Sequence, residues 1–337
     1  MRRLKILIWH VHGSYLNALG RIEHDWFLPV KPGRPEGYGG RGGYDLPEWV
    51  REVPAERVRD LDLDLIIYQT PKNLSEDGPE LFGDRQRILP AIYLEHNIPR
   101  PHPVDSRHPA ADSDLLLVHV THFNRLMWDN GTTETRVIEH SVAIDPALRY
   151  QGSAARGIAV VNGLRRRGRL TGYDVFERAR AQIPLDLAGM ESEEIGGLGD
   201  VPYWELHRRV AEYRFLFSPI RYTSLPLAVI EAMTIGCPVV ALATTELPTV
   251  IEDGVNGYVS CDLDVLVDRM RGLLADPGLA RELGKRARVV AQQRFRLERF
   301  AREWNAAFEA AVSRQMSAVG SGIAAERAPA LTVLADG

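Results

Sequence analysis

Residues 218–240 read SPIRYTSLPLAVIEAMTIGCPVV, and the fold of the chain is decided by what this stretch forms. Thr223 and Ser224 offer side-chain oxygens for a helix N-cap, and Pro226 suits the first helical turn, where a missing N–H does no harm. Leu227, Ile230 and Met233 with Thr234 recur at helical spacing, and Gly236 with Pro238 ends the run. Residues 237–242 (CPVVAL) follow as a short apolar strand. Loop, helix, glycine stop and buried strand in succession are the parts of a parallel α/β unit. Glu231 is the residue out of place, a carboxylate inside an otherwise apolar helix. It sits either on the wet face or in the interior, where a carboxylate needs a partner such as a ligand hydroxyl.

Working outward, LPLAVIEAMTIGCPVVAL (residues 225–242) resembles the donor-site helix of retaining glycosyltransferases of the GT-B fold, those of family 4 in particular. That pattern has two glutamates eight positions apart, the second followed by Ala-Met and then small-x-Gly-x-Pro-Val-Val. Glu231-Ala232-Met233 and Gly236, Pro238, Val239 and Val240 match it, whereas Thr223 occupies the place of the first glutamate. Residues 247–257 (LPTVIEDGVNG) resemble the family's next segment, with Thr249 where a glutamate is usual. The resemblance is strong over about residues 158–310 and thinner before them. It implies an α/β protein of GT-B fold. Two Rossmann-like doubly wound domains would face a central cleft, with a C-terminal helix crossing back to the first domain. The matching organisation is an acceptor domain at 1–146, a linker at 147–156, a nucleotide-sugar donor domain at 157–299 and a crossover helix at 300–316. Phe300, Trp304 and Phe308, at four-residue spacing, suit that helix. Residues 317–337 are small, polar and low in aromatics, and are expected to be disordered.

Composition agrees with two soluble domains. The chain has 337 residues, of which 45% are apolar and 26% charged, room for two cores of ordinary size. A net charge of −4 argues against a nucleic-acid or anionic-membrane partner. Arginine dominates the cations, the lysines being Lys5, Lys31, Lys72 and Lys285. Cys237 and Cys261 make no disulfide framework. The first nine residues lack a signal-peptide core and no apolar run is long enough for a bilayer, so a cytoplasmic protein without membrane association is expected.

Along the chain, residues 4–9 form a first strand that ends in His10, His12, Gly13 and Ser14. Residues 30–47 are rich in Gly, Pro and Arg, and the 33–45 loop within them reads as a flexible surface loop or as a backbone that approaches a ligand closely. Further strands are expected at 62–68, 89–94, 115–120 and 136–139, several ending in histidine. In doubly wound sheets ligands bind beyond such carboxyl ends. The second half opens with a buried strand at 157–163, followed by the basic turn LRRRGR at 164–169. Helices are expected at 173–181, 203–212, 264–274, 278–288 and 297–311.

The resemblance assigns roles to these positions. His96 matches a histidine that faces the transferred sugar, with Thr223 and Ser224 flanking it on the catalytic side. Arg165, Arg166 and Arg169 stand where the family holds the donor's diphosphate with an Arg and a Lys. Glu191 falls near the base, and Leu225 and Glu231 complete the nucleotide side, Glu231 toward the ribose hydroxyls. His12, Gly13 and Asn97 are substrate-side candidates. The implied reaction is transfer of a sugar, with retention, from a nucleotide-diphosphate sugar to a small-molecule or glycan acceptor. No tightly bound cofactor and no metal are required, since arginines and helix N–H groups supply the positive charge. A GT-B nucleotide-sugar epimerase and a nucleotide-sugar-binding protein without transferase activity are the other two readings. Donor base, sugar, acceptor and oligomeric state are left open.

Overall fold

Ten strand pairings, all parallel, build two sheets in the computed structural model, which describes residues 2–320. The chain divides into two compact units. The first takes the described residues up to His119, Arg125–Ile138 and those from Ala301; the second takes Val120–Asn124 and Glu139–Phe300.

The first unit carries β1 (Lys5–Ile8), β2 (Asp25–Val30), β3 (Val50–Pro54), β4 (Leu65–Tyr68), β5 (Ala91–Glu95), β6 (Leu116–His119) and β7 (Thr135–Val137), in the order β3-β2-β1-β4-β5-β6-β7. Its early helices are α1 (Gly13–Leu19), α2 (Gly78–Leu81) and α3 (Asp84–Arg87), and α4 (His122–Met127) follows β6. β2 and β3 are absent from the sequence reading for a physical reason. β2 is apolar but contains Pro29, which argues against a strand interior, and β3 is an edge strand with Arg51 and Glu52 exposed and so without an apolar run.

The second unit carries β8 (Ala154–Val160), α5 (Tyr173–Arg180), β9 (Leu185–Ala188), α6 (Tyr203–Glu212), β10 (Tyr213–Ser218), α7 (Leu227–Ile235), β11 (Val239–Leu242), α8 (Leu247–Val250), β12 (Tyr258–Ser260), α9 (Leu263–Ala275) and α10 (Pro277–Arg294). α11 (Leu297–Gly320) ends the described chain. The strand order is β12-β11-β10-β8-β9. Alternate residues of its strands enter opposite cores. Ile158, Leu216, Val239 and Ala241 pack with α7 and α10, whereas Ala159, Phe215, Phe217 and Val240 pack with α5 and α9. Burial on both faces is why these strands read as continuous apolar runs.

Two boundaries differ from the sequence reading. The expected linker, 147–156, is bonded into the second unit. Tyr150 donates its hydroxyl to the Arg214 carbonyl at 2.8 Å and its N–H to Ile235, and Ile144, Leu148 and Tyr150 pack against the second unit's core. Apolar side chains inside a short polar stretch decided that outcome. α11 runs on to Gly320, into the stretch expected to be disordered, while residues 321–337 lie outside the described residues. Trp304 and Phe308 are fully buried in the first unit, Trp304 donating its indole N–H to the Tyr15 hydroxyl at 3.1 Å.

The start of α7 is also corrected. Pro226, with ψ 126°, holds the N-cap position itself, and no side chain caps the helix, so Thr223 and Ser224 are loop residues. A proline restricts the residue before it to extended backbone, which keeps the helix from starting earlier. At the other end Gly236, at φ 92°, takes the left-handed turn that stops the helix, donating to the carbonyls of Ala232 and Met233.

Candidate functional site

In each unit the strand order reverses at one point, and the crevice beyond the carboxyl ends of the two strands there is where open α/β sheets bind ligands. In the first unit that point lies between β1 and β4. Gln69, directly after β4 and 2% exposed, ties the region together. Its amide donates to the Trp9 carbonyl at 2.6 Å, and its oxygen accepts from His96 Nε2 at 2.9 Å, which places the His96 proton on Nε2. The His12 and Tyr15 rings stand edge-on to His96, at centroid distances of 4.3 and 4.7 Å. His12, at the N-cap position of α1, and His96 are therefore brought together. Gly13 follows His12, and the Tyr44 ring lies so close over it that a Cβ there would overlap the ring. Tyr44 belongs to the glycine-rich loop. That loop is tied down: the Gly40 carbonyl bonds His10, and Arg34 grips Glu52 with two hydrogen bonds. Asn97 is exposed, its N–H donating to Glu95 and its carbonyl accepting from the Trp128 indole at 2.9 Å.

In the second unit the reversal lies between β8 and β10. Two turns are locked together there. Gly163 N–H donates to the Met190 carbonyl at 2.9 Å, and Met190 N–H donates to Asn162 Oδ1 at 3.0 Å. The basic turn is largely spoken for. Arg166 Nε donates to both Glu191 oxygens, at 3.1 and 3.0 Å, and Arg169 pairs with Asp174 at 3.0 Å. The Arg165 side chain, exposed, makes no hydrogen bond or ion pair among the described residues. The turn is fastened to the loop after β10. Arg221 grips Asp174, with one bond at 2.7 Å, and the Arg221 and Tyr222 N–H groups donate to the Leu170 carbonyl.

Glu231 lies in the interior, 6% exposed, on the second turn of α7. Two side chains of α6 face it: the Tyr203 hydroxyl donates to Oε1 at 3.2 Å, and His207 Nε2 stands 3.5 Å from Oε2. Thr223 is half-buried and Ser224 buried in the loop before α7. The Ser224 carbonyl accepts from the Thr245 hydroxyl at 3.2 Å, and Thr245 is held at φ 53°, an unusual backbone for a β-branched residue. Leu225 does not offer its side chain to a ligand; it is 3% exposed within the core beside Val229 and Ile230, leaving only its main chain. Its apolar side chain follows the hydrophobic gradient inward.

Residues 171–276 match the family model described as Glycosyl transferases group 1. Two solved structures align along their full length: a sucrose-phosphate synthase from Thermosynechococcus elongatus (18% identity, TM-score 0.66, 94% of this chain and 100% of that one) and Anabaena HepE in complex with UDP (15%, 0.69, 91% and 100%). A mutant of Staphylococcus aureus TarM, in complex with fondaparinux, α-GlcNAc-glycerol and UDP, aligns at 17% identity and TM-score 0.60 over 72% of this chain and 55% of that one. No curated protein matches the chain. The fold is GT-B.

Within this GT-B chain, Gln69, Asn162, Tyr203, His207 and Glu246 are site-region residues that sequence reasoning missed. Glu246 is informative because the expected glutamate at 249 is a threonine. Glu246, 2% exposed, instead accepts from the Thr249 hydroxyl at 3.0 Å and from the Phe123 N–H at 2.8 Å. None of these carries a periodic signal; each is defined by a partner far along the chain. Among the described residues no cluster of three or more His, Cys, Asp or Glu side chains is arranged for a metal ion, and no helix is long and apolar enough to cross a membrane.

The Asp174 pair makes a pH prediction. Its hydrogen bonds from Arg221, helped by the charges of Arg221 and Arg169, hold the Asp174 carboxyl at about 2. A carboxyl depressed in the folded state contributes stability that is present above its ordinary value, about 3.9, and is lost as pH falls through the folded one. Urea unfolding of the wild type and Asp174→Asn should differ by a constant amount above about pH 4, the gap closing toward about pH 2. A gap independent of pH would show that the ion pair does not stabilise the fold.

Proposed function

We propose that this GT-B protein transfers a sugar from a nucleotide-diphosphate sugar to a hydroxyl acceptor, with retention and without a metal. The observation that carries the reading is Glu231, a carboxylate 6% exposed on the helix that follows the second unit's switch-point strand, inside the segment matched by the group 1 family model. A buried carboxylate that, among the described residues, meets a hydroxyl and an imidazole retains lone pairs for ribose hydroxyls. The donor's diphosphate then meets Arg165 and the N–H groups at the start of α7. That helix end carries no side-chain cap and bears the positive end of the helix dipole. As the glycosyl–oxygen bond breaks, negative charge grows on the departing diphosphate, and these groups stabilise it without a cation. Arg166 and Arg169 are highly exposed, their side chains 66% and 79% accessible, so their ion pairs are weak enough to exchange for phosphate oxygens. In the first unit His96, its proton on Nε2 toward Gln69, stands with His12, Gly13 and Asn97 on the sugar and acceptor side. Thr223 in place of a glutamate alters how the sugar's hydroxyls are held and hence which sugar is accepted.

UDP is the first ligand to try, because HepE and TarM were both solved with it. At about 100 times its dissociation constant a nucleotide adds roughly 2.7 kcal/mol of stability. A melting-temperature rise with one of UDP, GDP, ADP or dTDP, followed by release of that diphosphate from its sugar conjugate in the presence of EDTA, is the expected result. No shift with any of them would overturn the reading. Arg165→Ala should weaken the nucleotide about 10-fold or more, the loss of a charge-assisted hydrogen bond, and Arg166→Ala less, since Arg166 must first leave Glu191. Titration calorimetry on both variants reads the difference, and the reverse order would exclude Arg165 as the primary phosphate ligand.

A further inference from the structure

Resting on the nucleotide-sugar reading, the geometry points to Tyr203 and His207 as positioning residues that make the site selective for ribonucleoside over deoxyribonucleoside diphosphates. Both lie on one face of α6, four residues apart, with their rings edge-on at a centroid distance of 4.3 Å. Neither belongs to α7. They reach Glu231 because α6 and α7 pack side by side, Val210 and Ala211 sharing a core with Val229, Ile230 and Met233.

The two partners differ in what they do for the carboxylate. The Tyr203 hydroxyl makes a hydrogen bond to Oε1 that fixes the rotation of the carboxylate plane. His207 Nε2 faces Oε2 from 3.5 Å, and that nitrogen, buried, has no hydrogen-bond partner. Side-chain exposure is 7% for both His207 and Glu231, so neither group is satisfied by bulk solvent. A hydroxyl placed to one side of this pair, rather than between them, lies within hydrogen-bond reach of both atoms. Such a hydroxyl donates its proton to Glu231 and accepts from His207 when Nε2 is protonated. A vicinal diol fills the site with one such hydroxyl beside Oε2 and a second donor to the remaining lone pairs of the carboxylate. Removing either hydroxyl leaves buried polar groups without partners, the situation in which a site discriminates most strongly against a ligand that lacks one group. On the outer face of the same helix Trp204 and Arg208 stack at 5.6 Å with the tryptophan 62% exposed, so only the inner pair meets Glu231.

Titration calorimetry of the full chain with UDP, 2′-deoxy-UDP and 3′-deoxy-UDP, repeated with the ADP and GDP series, tests this. The wild type should prefer the ribonucleotide by about 10-fold or more over at least one deoxy analogue. Tyr203→Phe and His207→Gln should each lower ribonucleotide affinity several-fold, leave deoxynucleotide affinity nearly unchanged and so move the ratio toward one. A wild-type ratio of one overturns the inference without any variant. So does a parallel fall of both affinities at a constant ratio, the signature of a merely structural role. Absence of binding by every nucleotide would overturn the function reading together with this inference, whereas binding without ribose preference overturns only the inference.

Discussion

Glu231→Gln should weaken nucleotide binding about 100-fold, roughly 3 kcal/mol, because an amide of the same shape replaces an acceptor of charge-assisted hydrogen bonds and turns a donor toward the ribose hydroxyls. The fold should hardly notice. Glu231 is 6% exposed and has one hydrogen bond from Tyr203, so in the ligand-free protein the carboxylate carries a desolvation penalty that its partners only partly offset. Replacing it by a neutral group is then neutral or mildly stabilising. Binding falls while the fold holds, which is what makes the substitution informative. The measurement is a paired one: melting temperature without ligand, and dissociation constant by calorimetry. Loss of binding with the melting temperature held or raised assigns the carboxylate to a ligand. A large fall in melting temperature that tracks the loss of binding would assign it to the core.

The second large effect is on stability. Gly172 stands at φ 80° directly before α5, and a Cβ built on it would overlap the Pro219 carbonyl oxygen. Gly172→Ala therefore meets two costs. The left-handed backbone costs an alanine about 1–2 kcal/mol. The overlap is with main chain, which cannot rotate away as a side-chain end does. A total of about 4 kcal/mol or more is expected, in the range reserved for backbone strain and overpacking, and a fall of roughly 8–16 °C in melting temperature at the usual scaling for a unit of this size. The contact joins the arginine turn to the loop after β10, so any folded fraction should also bind nucleotide poorly. An alanine variant that melts within a few degrees of the wild type would show that the Pro219 loop moves freely, and the description of these two turns as one fastened assembly would be wrong.

Much of the second unit was readable before any coordinates. Residues 213–242 alternate strand, helix, glycine and strand because each element's apolar spacing has its own period, and Gly236 stops α7 where only glycine takes φ 92° at low cost. The first unit was less legible. β2 carries a proline, which argues against a strand interior, and β3 lies at the sheet edge with charged residues exposed, so neither announces itself as a central strand. The stretch 147–156 looked like a linker because it is short and partly polar, yet Tyr150 and Leu148 tether it to the second core.

Residues by themselves determined the α/β class, the doubly wound order of elements in the second half, and that a carboxylate on α7 needed an explanation. Only the tertiary structure decided which way Glu231 faces, that it meets Tyr203 and His207, that Arg166 and Arg169 are paired with Glu191 and Asp174 while Arg165 is not, and that Leu225 belongs to the core. The reason is range. Periodicity reports on neighbours within about four residues along a helix or two along a strand, whereas the partners of these charged groups come from elements that become adjacent only when the sheet order and helix packing bring them together.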